Sequence, residues 1–329
     1  MTLRRPSFVL WLFALSVGSS MAQAPRPRAA PARPVSETLR TVDGHPDLQG
    51  FWENSTLTPV ERPPALGDRA FFTEAEAADF ESPARVVERL QARNGDEEPA
   101  TTGEANGVWR ALRGLGRDRR ASIIVDPTNG RLPALSPQAT RRRHTLSMNH
   151  RQHLADNPED LSLSERCLLW GADPPLIPVP DNNILQIVQT PVAVMILTEM
   201  IHDARVIPLD GRPHLPANVR QWKGDSRGRW EGDTLVVDST NFIDKSATFT
   251  DKTAFQGNGD GLHVIERFTR TDEETLQYEF RIEDAATFAQ PWAGVLTMSR
   301  TPGPIYEYAC HEGNYSIIGV LRGARAMAR

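Results

Sequence analysis

Thr275-Leu276-Gln277-Tyr278-Glu279-Phe280-Arg281-Ile282-Glu283 alternates without a break. Leu276, Tyr278, Phe280 and Ile282 are apolar, while Gln277, Glu279 and Arg281 between them are polar. Side chains of a strand point alternately to opposite faces, so this period of two predicts a β-strand in a sheet with one buried and one wet face. Working outward, residues 262–270, 294–300, 234–240, 204–209, 192–200 and 185–189 also have strand length and composition. Asp210-Gly211, Glu231-Gly232-Asp233 and the glycine-rich 257–261 supply the turns between them. Strands joined in succession by short turns predict a mainly β protein, an antiparallel meander from about 185 to 308. Closure into a barrel or a strongly curled sheet would remove the exposed edges.

Ahead of this region the period changes. Thr73 followed by Glu76 has capping-box spacing, in which hydroxyl and carboxylate satisfy free amides reciprocally. Ser82-Pro83 and Ser136-Pro137 each have the form of an N-cap followed by proline in the first turn. Ser162 with Glu165 repeats the capping-box spacing, and Gly171 stands where a C-cap would fall. A short strand is expected at 121–125, followed by the turn Asp126-Pro127-Thr128-Asn129-Gly130. The expectation is a smaller, N-terminal helical section at about 73–170 within one β-rich domain spanning 45–325. No fixed-period repeat and no dinucleotide, phosphate-loop or nucleophile-elbow pattern is present.

The N-terminus reads as an export signal. Arg4 and Arg5 precede the apolar 8–17, and Ser20-Met21-Ala22 fits a small-residue cleavage site, giving a signal peptide at 1–22. Residues 23–44, rich in Pro, Ala and Arg, read as a linker. The apolar stretch falls short of the roughly 20 residues that a membrane span needs, so no membrane span is expected. A periplasmic or secreted location follows, and in an oxidising compartment Cys167 and Cys310 read first as a disulfide, with two buried thiols as the alternative.

Of 329 residues, 39% are hydrophobic and 24% charged, as in ordinary soluble domains. Loss of residues 1–22 removes Arg4 and Arg5 and no acid, taking the formal charge from −5 to −7. That balance argues against nucleic acid as a partner. Arg110, Arg113, Arg117, Arg119, Arg120 and 141–143 make one basic stretch, read as a salt-bridged surface or as an anion-binding patch.

Four segments carry a resemblance: HPDLQGFWEN (45–54), MIHDARVIPLDGRPH (200–214), GDSRGRWEGDTLVVDSTNF (224–242) and GPIYEYACHEGNY (303–315). Through them most of the mature chain resembles a large, mostly uncharacterised group of secreted bacterial proteins, a likeness that brings no activity with it. The GRWEGDTLVVD segment is also similar, more remotely, to lipocalin-like (calycin-like) barrels, which would imply a ligand-holding barrel by fold analogy alone.

Candidate chemistry falls in three places. His311 and Glu312 follow Cys310, with Asn314 beside them: a possible base, its orienter or an acid, and a hydrogen-bond donor to substrate. Read as strand, His202 shares a face with Met200, while Arg205 and His214 could bind an anionic group. Glu266 shares the apolar face of Leu262, Val264 and Phe268, where a carboxylate needs either a partner such as Arg or a raised pKa. His311, Glu312, His202 and Glu266 are therefore the expected catalytic residues, bordering one cavity with Arg205 and His214 at its rim.

Trp222 and Trp292, with Trp52 and Trp230, could line that pocket or fill a core. No cofactor is implied. His202, His214, His311 and Glu312 could ligate a divalent metal, but no spacing motif unites them. Two function classes remain for a small-molecule substrate or ligand. One is a His/carboxylate acid–base enzyme for elimination, isomerisation or hydrolysis, and the other is a lipocalin-like binder of an apolar or aromatic molecule.

Overall fold

The computed structural model describes residues 39–85, 114–170, 173–179, 182–246 and 261–327. The expected signal peptide, most of the expected linker, Arg110, Arg113, Gly171 and the expected turn residues 257–260 lie outside them. The described chain is mainly β. Its strands are β1 (Gly50–Glu53), β2 (Ile124–Asp126), β3 (Ile184–Gln189), β4 (Ala193–Thr198), β5 (Asp203–Pro208), β6 (Asp225–Glu231), β7 (Thr234–Thr240), β8 (His263–Asp272), β9 (Thr275–Glu283) and β10 (Trp292–Thr301). They form one antiparallel sheet in the order β5-β4-β3-β1-β10-β9-β8-β7-β6, with β2 also paired to β10.

The meander is as expected from β3 to β5 and from β7 to β10, and β6, a strand not expected from the sequence, extends it by pairing with β7. What joins these halves is β1, which lies between β3 and β10 and pairs with both. The sheet is not closed into a barrel, because β5 and β6 end the strand order without pairing to each other. It curls instead. Side chains of Ile207 and Leu209 lie so close over Gly228 that a β-carbon there would sit 2.8 and 2.6 Å from them. Packed side chains thus stand where a closing backbone ladder would run.

The helices are not confined to an N-terminal section either. α1 (Glu74–Glu81) and α2 (Pro137–Gln152) begin at Thr73 and Ser136, and the full capping box forms at Thr73 and Glu76. α3 (Cys310–Gly313) and α4 (Tyr315–Met327) instead follow the sheet. Gly319 and Gly323 weaken the intrinsic helix propensity of α4. Ser162 and Glu165 make their reciprocal hydrogen bonds around a turn rather than a helix. In the basic stretch, Arg117, Arg119 and Arg120 are paired with Asp272, Glu74 and Asp118. No described helix is long and apolar enough to cross a membrane.

Cys167 and Cys310 form the expected disulfide across a sequence separation of 143. The inner face of the curl is the core. Leu276, Tyr278, Phe280 and Ile282 all point into it, as their alternation requires. Trp52 and Trp292 are fully buried there, Trp292 meeting the edges of Phe280 and Phe288 at centroid distances of 5.5 and 5.9 Å. Gly294, directly opposite Phe280 on β9, leaves room for that ring.

Candidate functional site

The curl brings β5 and β8, far apart in strand order, face to face across the interior. Arg205 of β5 and Glu266 of β8 meet there in a two-pronged ion pair, one arm at 3.0 Å, with side chains 6% and 0% exposed. Tyr278 Oη donates to the Glu266 carboxylate at 2.8 Å and accepts from the Leu176 amide at 2.9 Å. Period two on β8 put Glu266 on the core face, and the partner it needed is Arg205. Burial opposes the Arg205 charge, but the adjacent Glu266 carboxylate outweighs it and holds the guanidinium above its usual value. Burial, and then the Glu266 charge, push the Tyr278 phenol well above its usual value, so it stays a neutral donor.

Two further ionisable groups adjoin this pair. Asp173 keeps some exposed surface as a residue, yet its Oδ1 is buried with no hydrogen-bond partner. Burial drives its carboxyl up to about 6, against the opposing pull of its own amide, Lys223 and Arg205. Lys223 is buried, which lowers its ammonium below the ordinary value, while Asp203 pulls it back up. Its Nζ lies 2.9 Å from Asp203, a charge contact out of line for a hydrogen bond.

The turn that presents Asp203 is unusual. Residues Met200–His202 form a tight turn in which Ile201 and His202 have φ of 62° and 53°. A β-branched residue there is strained, and such strain persists where surrounding structure holds it in place. His202 is therefore not in a strand, so the strand-face reading of its direction is corrected. His202 is exposed, next in sequence to Asp203.

A small surface recess lies at the same end of the sheet, lined by Asn54, Leu176, Val179, Asn182, Thr198 and Met200. The Leu176 peptide links recess to interior. Its N–H reaches Tyr278, and its carbonyl accepts from Asn54 Nδ2 at 3.2 Å. Asn54 is 5% exposed, and its Oδ1 is buried with no partner, a free acceptor at the recess.

The other expected site residues fall elsewhere. Arg205, expected at a rim, is buried, because Glu266 draws it into the core. His311 and Glu312 are exposed on α3 beside the disulfide. Asn314 donates to the Glu165 carbonyl at 2.6 Å and meets Cys167 Sγ at 3.5 Å, tying the two chain segments of the disulfide together. Trp292 is core, and Trp222 is half-buried in the turn before Lys223.

His214 lies on the outer face of the sheet between Asp225 and Asp238, at 2.8 and 3.1 Å. Among the described residues, no group of three or more His, Cys, Asp or Glu is placed to hold a metal ion. Asp173, Lys223 and Asn54 escaped the sequence reading because each sits outside any long periodic run. The one available signal was the charge of Glu266 on an apolar face, which implied a buried polar network. Neither the protein-family models nor the curated proteins include a match to this chain.

Proposed function

We propose that this protein is an enzyme of the periplasm or extracellular space that performs acid–base chemistry on a small organic molecule. Hydrolysis, isomerisation and elimination are the reaction classes such chemistry serves. The observation that carries the reading is the Asp173 carboxyl, enclosed and raised to about 6 beside Lys223 and Arg205. A general acid or base works best with a pKa near the working pH, and a titratable group shifted strongly by burial beside charged partners is a functional-site candidate. In this reading Asp173 exchanges the proton and Lys223 stabilises developing negative charge. Arg205, anchored by Glu266, sets the positive potential, and Asn54 Oδ1 accepts from a substrate N–H or O–H. The disulfide and the basic–apolar–small N-terminal pattern support a location outside the reducing cytoplasm.

A lipocalin-like lumen holding an apolar ligand is disfavoured by the filled interior, where Trp52, Phe268, Tyr278, Phe280 and Trp292 pack together. The test is turnover by the purified protein of a panel of small esters, enolisable carbonyl compounds and β-substituted acids. Asp173→Asn is expected to lower turnover by about 100-fold or more with unchanged thermal stability, the scale of a lost general acid or base. If Asp173 acts as base, wild-type activity rises with pH through about 6. An Asp173→Asn protein with undiminished activity defeats the assignment, and so does a panel that yields no turnover at all.

A further inference from the structure

A second polar network crosses the outer face, separate from the interior cluster. His263, the first residue of β8, faces Asp238 of β7 through Nε2 at 3.0 Å and Glu283 of β9 through Nδ1 at 3.2 Å. Asp238 Oδ1 also meets His214 Nε2 at 3.1 Å, and His214 Nδ1 meets Asp225 of β6 at 2.8 Å. The sequence of contacts is carboxylate, imidazole, carboxylate, imidazole, carboxylate. It spans four neighbouring strands. Its ends are fixed: Arg227 pairs with Asp225 at 2.9 Å, and Arg281 pairs with Glu283 at 3.0 Å and with Asp126 at 3.3 Å.

A neutral imidazole has one N–H and one lone pair, whereas imidazolium donates from both nitrogens. His263 has a carboxylate oxygen at each nitrogen, so only the protonated ring satisfies both contacts. Loss of that proton leaves a lone pair facing a carboxylate. We propose that this chain is a pH-dependent clamp across β6–β9, closed while His263 carries its proton and loosened when the proton is lost.

The electrostatics agree. The hydrogen bond to Asp238 comes first, and with the charges of Asp238 and Glu283 it raises the His263 pKa despite partial burial. The hydrogen bond from His263 in turn lowers Asp238, and Arg281 followed by His263 lowers Glu283. Because the folded pKa of His263 lies above its unfolded value near 6.5, its stabilisation is fully present below about pH 6.5. It is lost as pH rises through the folded pKa. Asp238 and Glu283, both held below their usual values, stay ionised above about pH 5, so between pH 5 and 9 the difference between wild type and a His263 variant reports the imidazole.

The experiment is thermal unfolding of the disulfide-bonded full chain between pH 5 and 9, wild type against His263→Gln. The expected result is a Tm lower by about 2 °C or more in the variant at pH 5–6, a shift corresponding to ~1 kcal/mol, with the gap closing toward pH 9. A gap that stays constant across this range overturns the clamp. Should the variant not fold, histidine-ring NMR titration of the wild type decides. One ring signal should titrate above 6.5, and Asp238→Asn should move that signal's midpoint down. Absence of any such signal, or a midpoint indifferent to Asp238→Asn, also overturns the proposal.

Discussion

Arg205→Met is the substitution that most directly tests how the two halves of the sheet are held together. It removes the guanidinium from Glu266, whose side chain is 0% exposed, and leaves Tyr278 as the remaining donor to that carboxylate. Breaking a buried pair by deleting one partner destabilises by about 3–5 kcal/mol, since the orphaned charge keeps its desolvation penalty. Unfolding entropy of about 2.1 cal/mol/K per residue over roughly 250 described residues makes ~0.5 kcal/mol/K, so Tm should fall by about 6–10 °C. Adding Glu266→Gln removes the orphaned charge while its amide oxygen can still accept from Tyr278. The double variant should therefore recover to within about 1–3 kcal/mol of wild type, the penalty of one unpaired buried amide donor. Urea unfolding of all four proteins closes the cycle and reads the coupling between the two positions. Losses that simply add, or an Arg205→Met change under about 1 kcal/mol, would show that the pair does not clamp the curl.

Two further outcomes follow from the core and the disulfide. Trp292→Ala should destabilise by about 3–5 kcal/mol in denaturant unfolding, as for a large buried aromatic, because the residue fills the core. A near-neutral result would return Trp292 to the role of a pocket wall. Unfolded, unreduced protein should titrate with no free thiol, and Cys167→Ser with Cys310→Ser should lower stability by about 5 kcal/mol in the loop-entropy account of a 143-residue closure. Two titratable thiols would remove the link between α3 and the 162–170 turns.

The alternation in 275–283 could be read locally because a strand's side-chain period is a property of its own backbone, and β9 matches it residue for residue. The caps at Thr73 and Ser136 were legible for the same reason, each being a hydrogen bond between residues three apart. The core-facing position of Glu266, and with it the need for a partner, came from that same period. The identity of the partner did not. Arg205 is 61 residues away, and only the curl of the sheet brings the two together.

β6 was hidden by a related effect. Gly228 makes the segment look like loop, yet the glycine is there because Ile207 and Leu209 of the opposite sheet end press against it. β1, four residues long, carries too little pattern to announce that it sits between β3 and β10. Asp173 and Lys223 likewise acquire their shifted ionisation from enclosure by distant chain. Short-range hydrogen bonding and side-chain alternation are encoded residue by residue in this sequence. Sheet closure, ion-pair partners and ionisation depend on which surfaces shield which charges from water, and only the assembled tertiary structure decides that.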